Sequence, residues 1–229
     1  MFRSIDELVV AVIGLGYVGL PLAVEFSKHR SVSAFDVNKL RVTELQSSYD
    51  YTMEVTSSEL EAATDLKFFD DIDNLKHCNC YIVTVPTPVD ENNKPDLSAL
   101  LKASKMVGRL LNDGDLVIFE STVYPGLTED LCGEWIAASS GLVYAPNKNL
   151  KDGRGVFHLG YSPERINPGD KQHGLTDVIK ITSGSSPDIA DIVDALYSSI
   201  IKKGTHKAPS IRVAEAAKVI ENTQRDVNI

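Results

Sequence analysis

Short β-branched apolar runs alternate along this chain with longer stretches of helical period, and the alternation sets the fold class. Leu8–Ile13 is almost wholly apolar and ends at glycine, as does a strand buried on both faces of a sheet. The pattern then predicts a helix over Gly16–His29, a strand over Ser31–Asp36, a helix over Lys39–Ser47 and a buried strand over Cys80–Val85 closed by Pro86. Leu97–Leu111 reads as a helix, Leu116–Glu120 as a strand and Thr128–Ser139 as a helix. From Gly141 to Gly155 the composition turns to Pro, Asn, Lys, Asp and Gly, which marks a surface loop. Val156–Tyr161 is a further apolar run, and Val178–Thr182 and Asp188–Tyr197 add one more strand and helix. Strands alternating with helices of this length predict an α/β fold built on a doubly wound parallel sheet. Ile211–Ile229 has helical spacing, no Gly or Pro and no stop signal. The expected organisation is therefore one domain over residues 1–210 and, over 211–229, the start of a longer helix cut off in mid-pattern.

Composition narrows the ligands. With 229 residues and 43% apolar content the chain can bury a sizeable core. Its formal charge of −9 argues against nucleic-acid or membrane-surface binding, so an anionic ligand must be held by local devices such as helix N-termini. Three cysteines without framework spacing point to a reducing compartment, and no His/Cys cluster has the spacing of a zinc site, so no metal is expected. The apolar stretch Leu8–Val24 is broken by three glycines and Pro21, which speaks against a signal peptide or membrane span and for a cytoplasmic protein.

The first candidate site lies between the first strand and the first helix. Gly14, Gly16 and Gly19 stand in G-x-G-x-x-G order, which suits a tight turn, close approach of a pyrophosphate and close helix–strand packing, in that order. The helix N-terminus offers N–H groups and partial positive charge to phosphates. Asp36, at the end of the second strand, suits the ribose hydroxyls of NAD and would repel the 2′-phosphate of NADP; a helix-capping aspartate is the alternative. Arg41 qualifies that preference, because a cation there either reaches a 2′-phosphate or flanks the ribose. Two more loops fall at strand ends, Val85-Pro-Thr-Pro88 and Glu120-Ser-Thr-Val-Tyr-Pro-Gly126, and suit rigid turns as well as cofactor contacts. Lys218, Asn222 and Arg225 share one stripe of the last helix, either a set of donors for a developing oxyanion or a solvated face. Glu164 follows Pro163 and either orients a water or is a surface carboxylate.

Taken with Ser162-Pro-Glu-Arg-Ile-Asn-Pro-Gly169 and Ala214-Glu-Ala-Ala-Lys-Val-Ile-Glu-Asn-Thr-Gln-Arg225, these motifs resemble the UDP-glucose/UDP-N-acetylhexosamine 6-dehydrogenases over essentially the whole chain. The wording is most similar to the UDP-N-acetyl-galactosamine or -glucosamine branch that serves bacterial surface polysaccharide, and Asn167-Pro168 departs from the glucose-specific branch. The resemblance implies oxidation of a sugar C6 alcohol to a carboxylate in two hydride transfers to NAD, through a cysteine-bound thioester. It implies that Tyr17 and Val18 lie against the pyrophosphate, Asp36 and Arg41 hold the adenosine ribose, and Thr87 and Thr122 contact the reactive end of the cofactor, Thr122 also serving catalysis. Glu164 would stand by the reacting sugar, Arg165 and Ile166 by the substrate, Lys218 and Asn222 at the reacting oxygen, and Arg225 at the substrate phosphate.

The family's nucleophilic cysteine lies downstream of these residues, beyond Ile229, and Cys78, Cys80 and Cys132 read as small core residues. The chain alone is expected to bind NAD without completing the oxidation, and the full-length protein to be a homodimer. A β-hydroxyacid or 6-phosphogluconate-type dehydrogenase and a non-catalytic NAD-binding regulatory module are the competing readings. The Ser-Pro-Glu-Arg and Glu-Asn-Thr-Gln-Arg blocks speak against the first.

Overall fold

A computed structural model describes residues 2–144, 153–164 and 175–228. Its first half alternates strand and helix: β1 (Val10–Ile13), α1 (Gly19–Ser27), β2 (Val32–Phe35), α2 (Lys39–Gln46), α3 (Ser57–Ala62), β3 (Leu66–Phe69) and β4 (Cys80–Val83). The second half holds α4 (Ser98–Gly108), β5 (Leu116–Phe119), α5 (Gly133–Ser140), β6 (Val143–Tyr144), β7 (Val156–Tyr161), β8 (Lys180–Gly184), α6 (Pro187–Ser198), β9 (Thr205–Lys207) and α7 (Ile211–Val227). Among the described residues eight strands stand side by side in the order β3-β2-β1-β4-β5-β7-β8-β9, with β6 paired to the start of β7.

The chain runs from β1 outward to β3, then crosses back to lay β4 on the other side of β1. That reversal makes a crevice at the carboxyl ends of β1 and β4, the place where open α/β sheets take their ligands. Strand alternation splits the core into two layers. Val10, Val12, Cys80, Ile82, Leu116 and Ile118 face α1 and α6, while Ala11, Ile13, Tyr81, Val83, Val117 and Phe119 face α4, α5 and the first turn of α7. Burial of the central strands on both faces explains why they read as unbroken apolar runs.

The doubly wound sheet is parallel from β3 to β7, as expected, while β8 runs antiparallel to β7. An apolar run fixes burial and leaves strand direction open. Several expectations are corrected. The first helix begins at Gly19 rather than Gly16, because residues 16–18 form the turn that enters it. The predicted helix over Thr128–Ser139 opens with a π-helical turn, Thr128–Cys132, before α5 proper. The strand expected over Val178–Thr182 sits two residues later, and α3, β3, β6 and β9 were not foreseen. Part of the expected loop over Gly141–Gly155 lies outside the described residues. No helix among the described residues is long and apolar enough to cross a membrane.

Candidate functional site

The crevice is a cleft of about 450 Å³, lined by the segments that leave β1, β2, β4, β5 and β7. Gly14, Gly16, Tyr17 and Val18 line it at the entry to α1, Asp36 and Arg41 at the end beyond β2, and Thr87, Glu120, Thr122 and Glu164 at the opposite end. The three glycines separate by cause. Gly14 has φ +94° and must be glycine to make the turn. A Cβ on Gly19 would stand 1.9 Å from the Gly14 carbonyl oxygen and 2.3 Å from Thr84 Oγ1, so packing requires glycine there. A Cβ on Gly16 would meet no protein atom within 4 Å, so the fold itself makes no such demand at this position. Val18 precedes α1 without a side-chain cap, and the Leu20 amide donates to the Gly16 carbonyl oxygen at 3.1 Å, which closes the glycine turn onto the helix.

Asp36 accepts from the Leu15 amide through Oδ2 and from the Asn38 amide through Oδ1, both at 2.8 Å. One carboxylate thus joins the glycine turn to the start of α2, where Asn38 is the cap. Arg41 is fully buried; its Nε donates to the Leu15 carbonyl oxygen at 2.9 Å, and its Nη1 stands 2.7 Å from Asp50 Oδ1. On the other side of the switch point, Thr87 Oγ1 donates to the Thr122 carbonyl oxygen at 2.7 Å and Ser121 Oγ to the Val85 carbonyl oxygen at 2.5 Å. The loops after β4 and β5 are therefore tied together at the residues singled out from their motifs.

Beneath Glu164 lies a buried charge network that sequence reasoning missed. Lys180 Nζ is 2.6 Å from Glu120 Oε2 and 3.8 Å from Glu164 Oε2, and it stands 5.4 Å from the centre of the Tyr197 ring. The Tyr197 hydroxyl donates to Glu120 Oε1. Burial holds the Glu120 carboxyl above its usual range, against the pull of Lys180. Burial disfavours the Lys180 ammonium, but the attraction of Glu120 and Glu164 outweighs it and keeps the amine charged. The signal was present in the sequence: Lys180 is flanked by isoleucines in a run that reads as a buried strand. Thr84, whose hydroxyl donates to the Gly14 carbonyl oxygen at 2.7 Å beneath the glycine turn, was also missed.

The stripe on α7 divides. Lys218 is buried and its Nζ donates to the backbone carbonyl of Glu164. Burial lowers its pKa, with the Glu164 carboxylate opposing. Asn222 and Arg225 continue the same face, more exposed, and none of the three lines the cleft; Arg225 is 3.8 Å from Glu221 across one turn of the helix. Arg165 and Ile166 lie outside the described residues. All three cysteines are buried, as expected of core residues.

A glycine-lined turn, a helix N-terminus and an acid at the end of the neighbouring strand, gathered at the switch point of a mostly parallel sheet, define a Rossmann-type dinucleotide-binding domain. The chain matches the UDP-glucose/GDP-mannose dehydrogenase family, NAD binding domain, over residues 8–201, and it belongs to that family. It is 56% identical over 226 residues to the UDP-N-acetyl-D-glucosamine 6-dehydrogenase of Salmonella typhi, which covers 99% of this chain and 51% of that protein. The enzyme of the same description from Pseudomonas aeruginosa is 56% identical over 223 residues, 97% of this chain and 51% of its own length. Among solved structures, the UDP-D-ManNAc dehydrogenase of Pyrococcus horikoshii matches with a TM-score of 0.81 at 31% identity, over 97% of this chain and 51% of that one. The chain spans about half the length of the curated relatives it matches. The family expected from the motifs is the family found, and NAD is the cofactor of this domain.

Proposed function

We propose that the chain is the cofactor-binding part of an NAD-dependent nucleotide-sugar 6-dehydrogenase that oxidises the C6 hydroxyl of a UDP-N-acetylhexosamine to a carboxylate. Gly16 is the observation that carries the cofactor half of this reading. Packing explains Gly19 and backbone conformation explains Gly14, but the space above Gly16 is open cleft, which suits a diphosphate resting on the backbone beside the N-terminus of α1. The sugar half is supported by identity to the two bacterial UDP-N-acetyl-D-glucosamine 6-dehydrogenases.

In this reading Tyr17 and Val18 flank the diphosphate, and Asp36 accepts from ribose hydroxyls beside Arg41. Thr87 and Thr122 border the nicotinamide end. NAD supplies the hydride acceptor. Glu164 stands by the reacting sugar with Arg165 and Ile166, Lys218 and Asn222 donate toward the oxygen on which charge develops, and Arg225 binds the substrate's phosphate. Residues 1–210 form the cofactor domain and α7 begins a linking helix; the enzyme works in the cytoplasm as a homodimer.

Calorimetric titration with NAD tests the first half. Gly16→Ala should fold with unchanged or slightly higher stability, gaining ~0.4–1 kcal/mol where the backbone tolerates alanine. It should bind NAD about 10- to 100-fold more weakly, the scale of losing hydrogen bonds to a charged group. Wild-type affinity in Gly16→Ala, or no binding of NAD by the parent chain, sinks the reading. With the full-length gene product, NADH formation on UDP-N-acetylglucosamine but not UDP-glucose tests the second half.

A further inference from the structure

A cation beside the cofactor's ribose would draw the 2′-phosphate of NADP, and Arg41 is a cation in that place. Its surroundings in the fold cancel the attraction. The guanidinium is 2% exposed, its Nε is spent on the Leu15 carbonyl, and its Nη1 forms an ion pair at 2.7 Å with Asp50, whose side chain is wholly buried. The Tyr51 ring lies over it, with its centre 4.5 Å from Cζ.

Asp50 itself is fixed in place. It accepts from the Thr52 amide at 3.0 Å, the Thr52 hydroxyl at 2.7 Å, and the Glu54 and Val55 amides at 3.0 Å each. These bonds make a tight turn after α2 and hold the carboxylate beside Arg41. Burial pushes its carboxyl upward, but the bonds from Thr52 and Val55 and the Arg41 contact outweigh burial, so it is anionic at neutral pH. Asp36, Arg41 and Asp50 together carry one net negative charge at this end of the cleft, so a phosphate there meets repulsion instead of a free cation.

We propose that Asp50 is a specificity-determining residue, which by neutralising Arg41 acts with Asp36 to select NAD against NADP. The inference rests on the cleft being the dinucleotide site, and the experiment separates the two. NAD and NADP are titrated calorimetrically into the parent chain, Asp50→Asn, Arg41→Gln and the double variant. Failure of the parent chain to bind NAD refutes the site. If NAD binds, Asp50→Asn should raise NADP affinity relative to NAD by about tenfold or more, the scale of removing one like charge beside a phosphate. Arg41→Gln in the same chain should abolish that gain, because the freed cation causes it. Thr52→Val, which loosens the turn but keeps both charges, should leave the ratio at the parent value. An unchanged ratio in a folded Asp50→Asn, a gain that persists in the double variant, or an equal gain in Thr52→Val overturns the proposal. If Asp50→Asn does not fold, Asp50→Ser, whose hydroxyl can still accept from the Thr52 amide, takes its place with the same expected and overturning results.

Discussion

Lys180→Met keeps most of the side-chain volume and removes the ammonium that stands between Glu120 and Glu164. Lys180 is 3% exposed and the Glu120 side chain is wholly buried, so water cannot replace the lost partner; the Tyr197 hydroxyl remains Glu120's hydrogen-bond donor. Breaking a buried ion pair from one side costs about 3–5 kcal/mol, because the surviving charge stays buried. Glu120 limits the loss by binding a proton, and that gives the variant a pH signature. Burial already holds the Glu120 carboxyl above its ordinary value while Lys180 pulls it down; without Lys180 it rises further. A carboxyl raised in the folded state holds its proton more tightly there than in the unfolded chain. The penalty is therefore absent below the unfolded value and grows as pH rises from it toward the folded one. The deficit should be small near about pH 5 and reach roughly 3 kcal/mol or more by about pH 8. At ~2–4 °C per kcal/mol for a chain of this size, the melting temperature at the higher pH should fall by at least ~6–12 °C. Urea unfolding followed by circular dichroism at several pH values measures this directly. Adding Glu120→Gln, which leaves a neutral acceptor for Tyr197, should recover most of the loss. A Lys180→Met protein within about 1 kcal/mol of the parent at pH 8, or a deficit independent of pH, would refute the reasoning.

Gly19→Ala forces a Cβ to 1.9 Å from the Gly14 carbonyl oxygen, between rigid backbone segments, and should cost about 3 kcal/mol and abolish NAD binding; an unchanged melt would contradict the packing argument. Burial pushes the Cys78 thiol up to about 11 and the Cys132 thiol up to about 12, and raises Cys80 as well, so at pH 8 the folded chain should resist a thiol reagent, with three equivalents reacting in denaturant. Rapid labelling of the native chain would show that the core opens at those strands.

The parts of this fold legible in the sequence are those whose cause is local. β1, β4 and β5 are buried on both faces and announce themselves as apolar runs, and the glycine turn carries its own conformational requirement at Gly14. The antiparallel direction of β8 was not legible, because a buried strand reads alike in either direction. α3 was missed although its capping box is written in the chain as Thr56 and Glu59, which exchange hydrogen bonds at its start. β3, with Lys67 and only Leu66 buried among its four residues, is an edge strand too short and too mixed to stand out. In the cleft, Asp36 and the motif loops followed from their positions at strand ends. The pairings Arg41–Asp50 and Lys180–Glu120 did not, since a charge in the sequence does not name its counter-ion, even where its burial is legible as at Lys180, and only the fold brings the partner near.

α7 is tied to the loops around the cleft by contacts that its polar stripe did not suggest. Glu215 and Lys218, one turn apart, are both buried. Glu215 accepts from the amides of Gly126 at 2.5 Å and Thr128 at 2.9 Å, while Lys218 donates to the carbonyl of Glu164. One turn of helix therefore clasps the loop after β5 and the loop after β7, and the Thr87–Thr122 bond extends the clasp to the loop after β4. Each bond joins a side chain to backbone, which positions the loop itself, and Thr122 and Glu164 both line the cleft. Desolvation raises the Glu215 carboxyl, and the two backbone donors oppose that rise only when both are in register. A displacement of α7 by one turn would strand a buried carboxylate and two amide donors together, which makes the helix the element that fixes how the loops after β4 and β5 stand relative to Glu164.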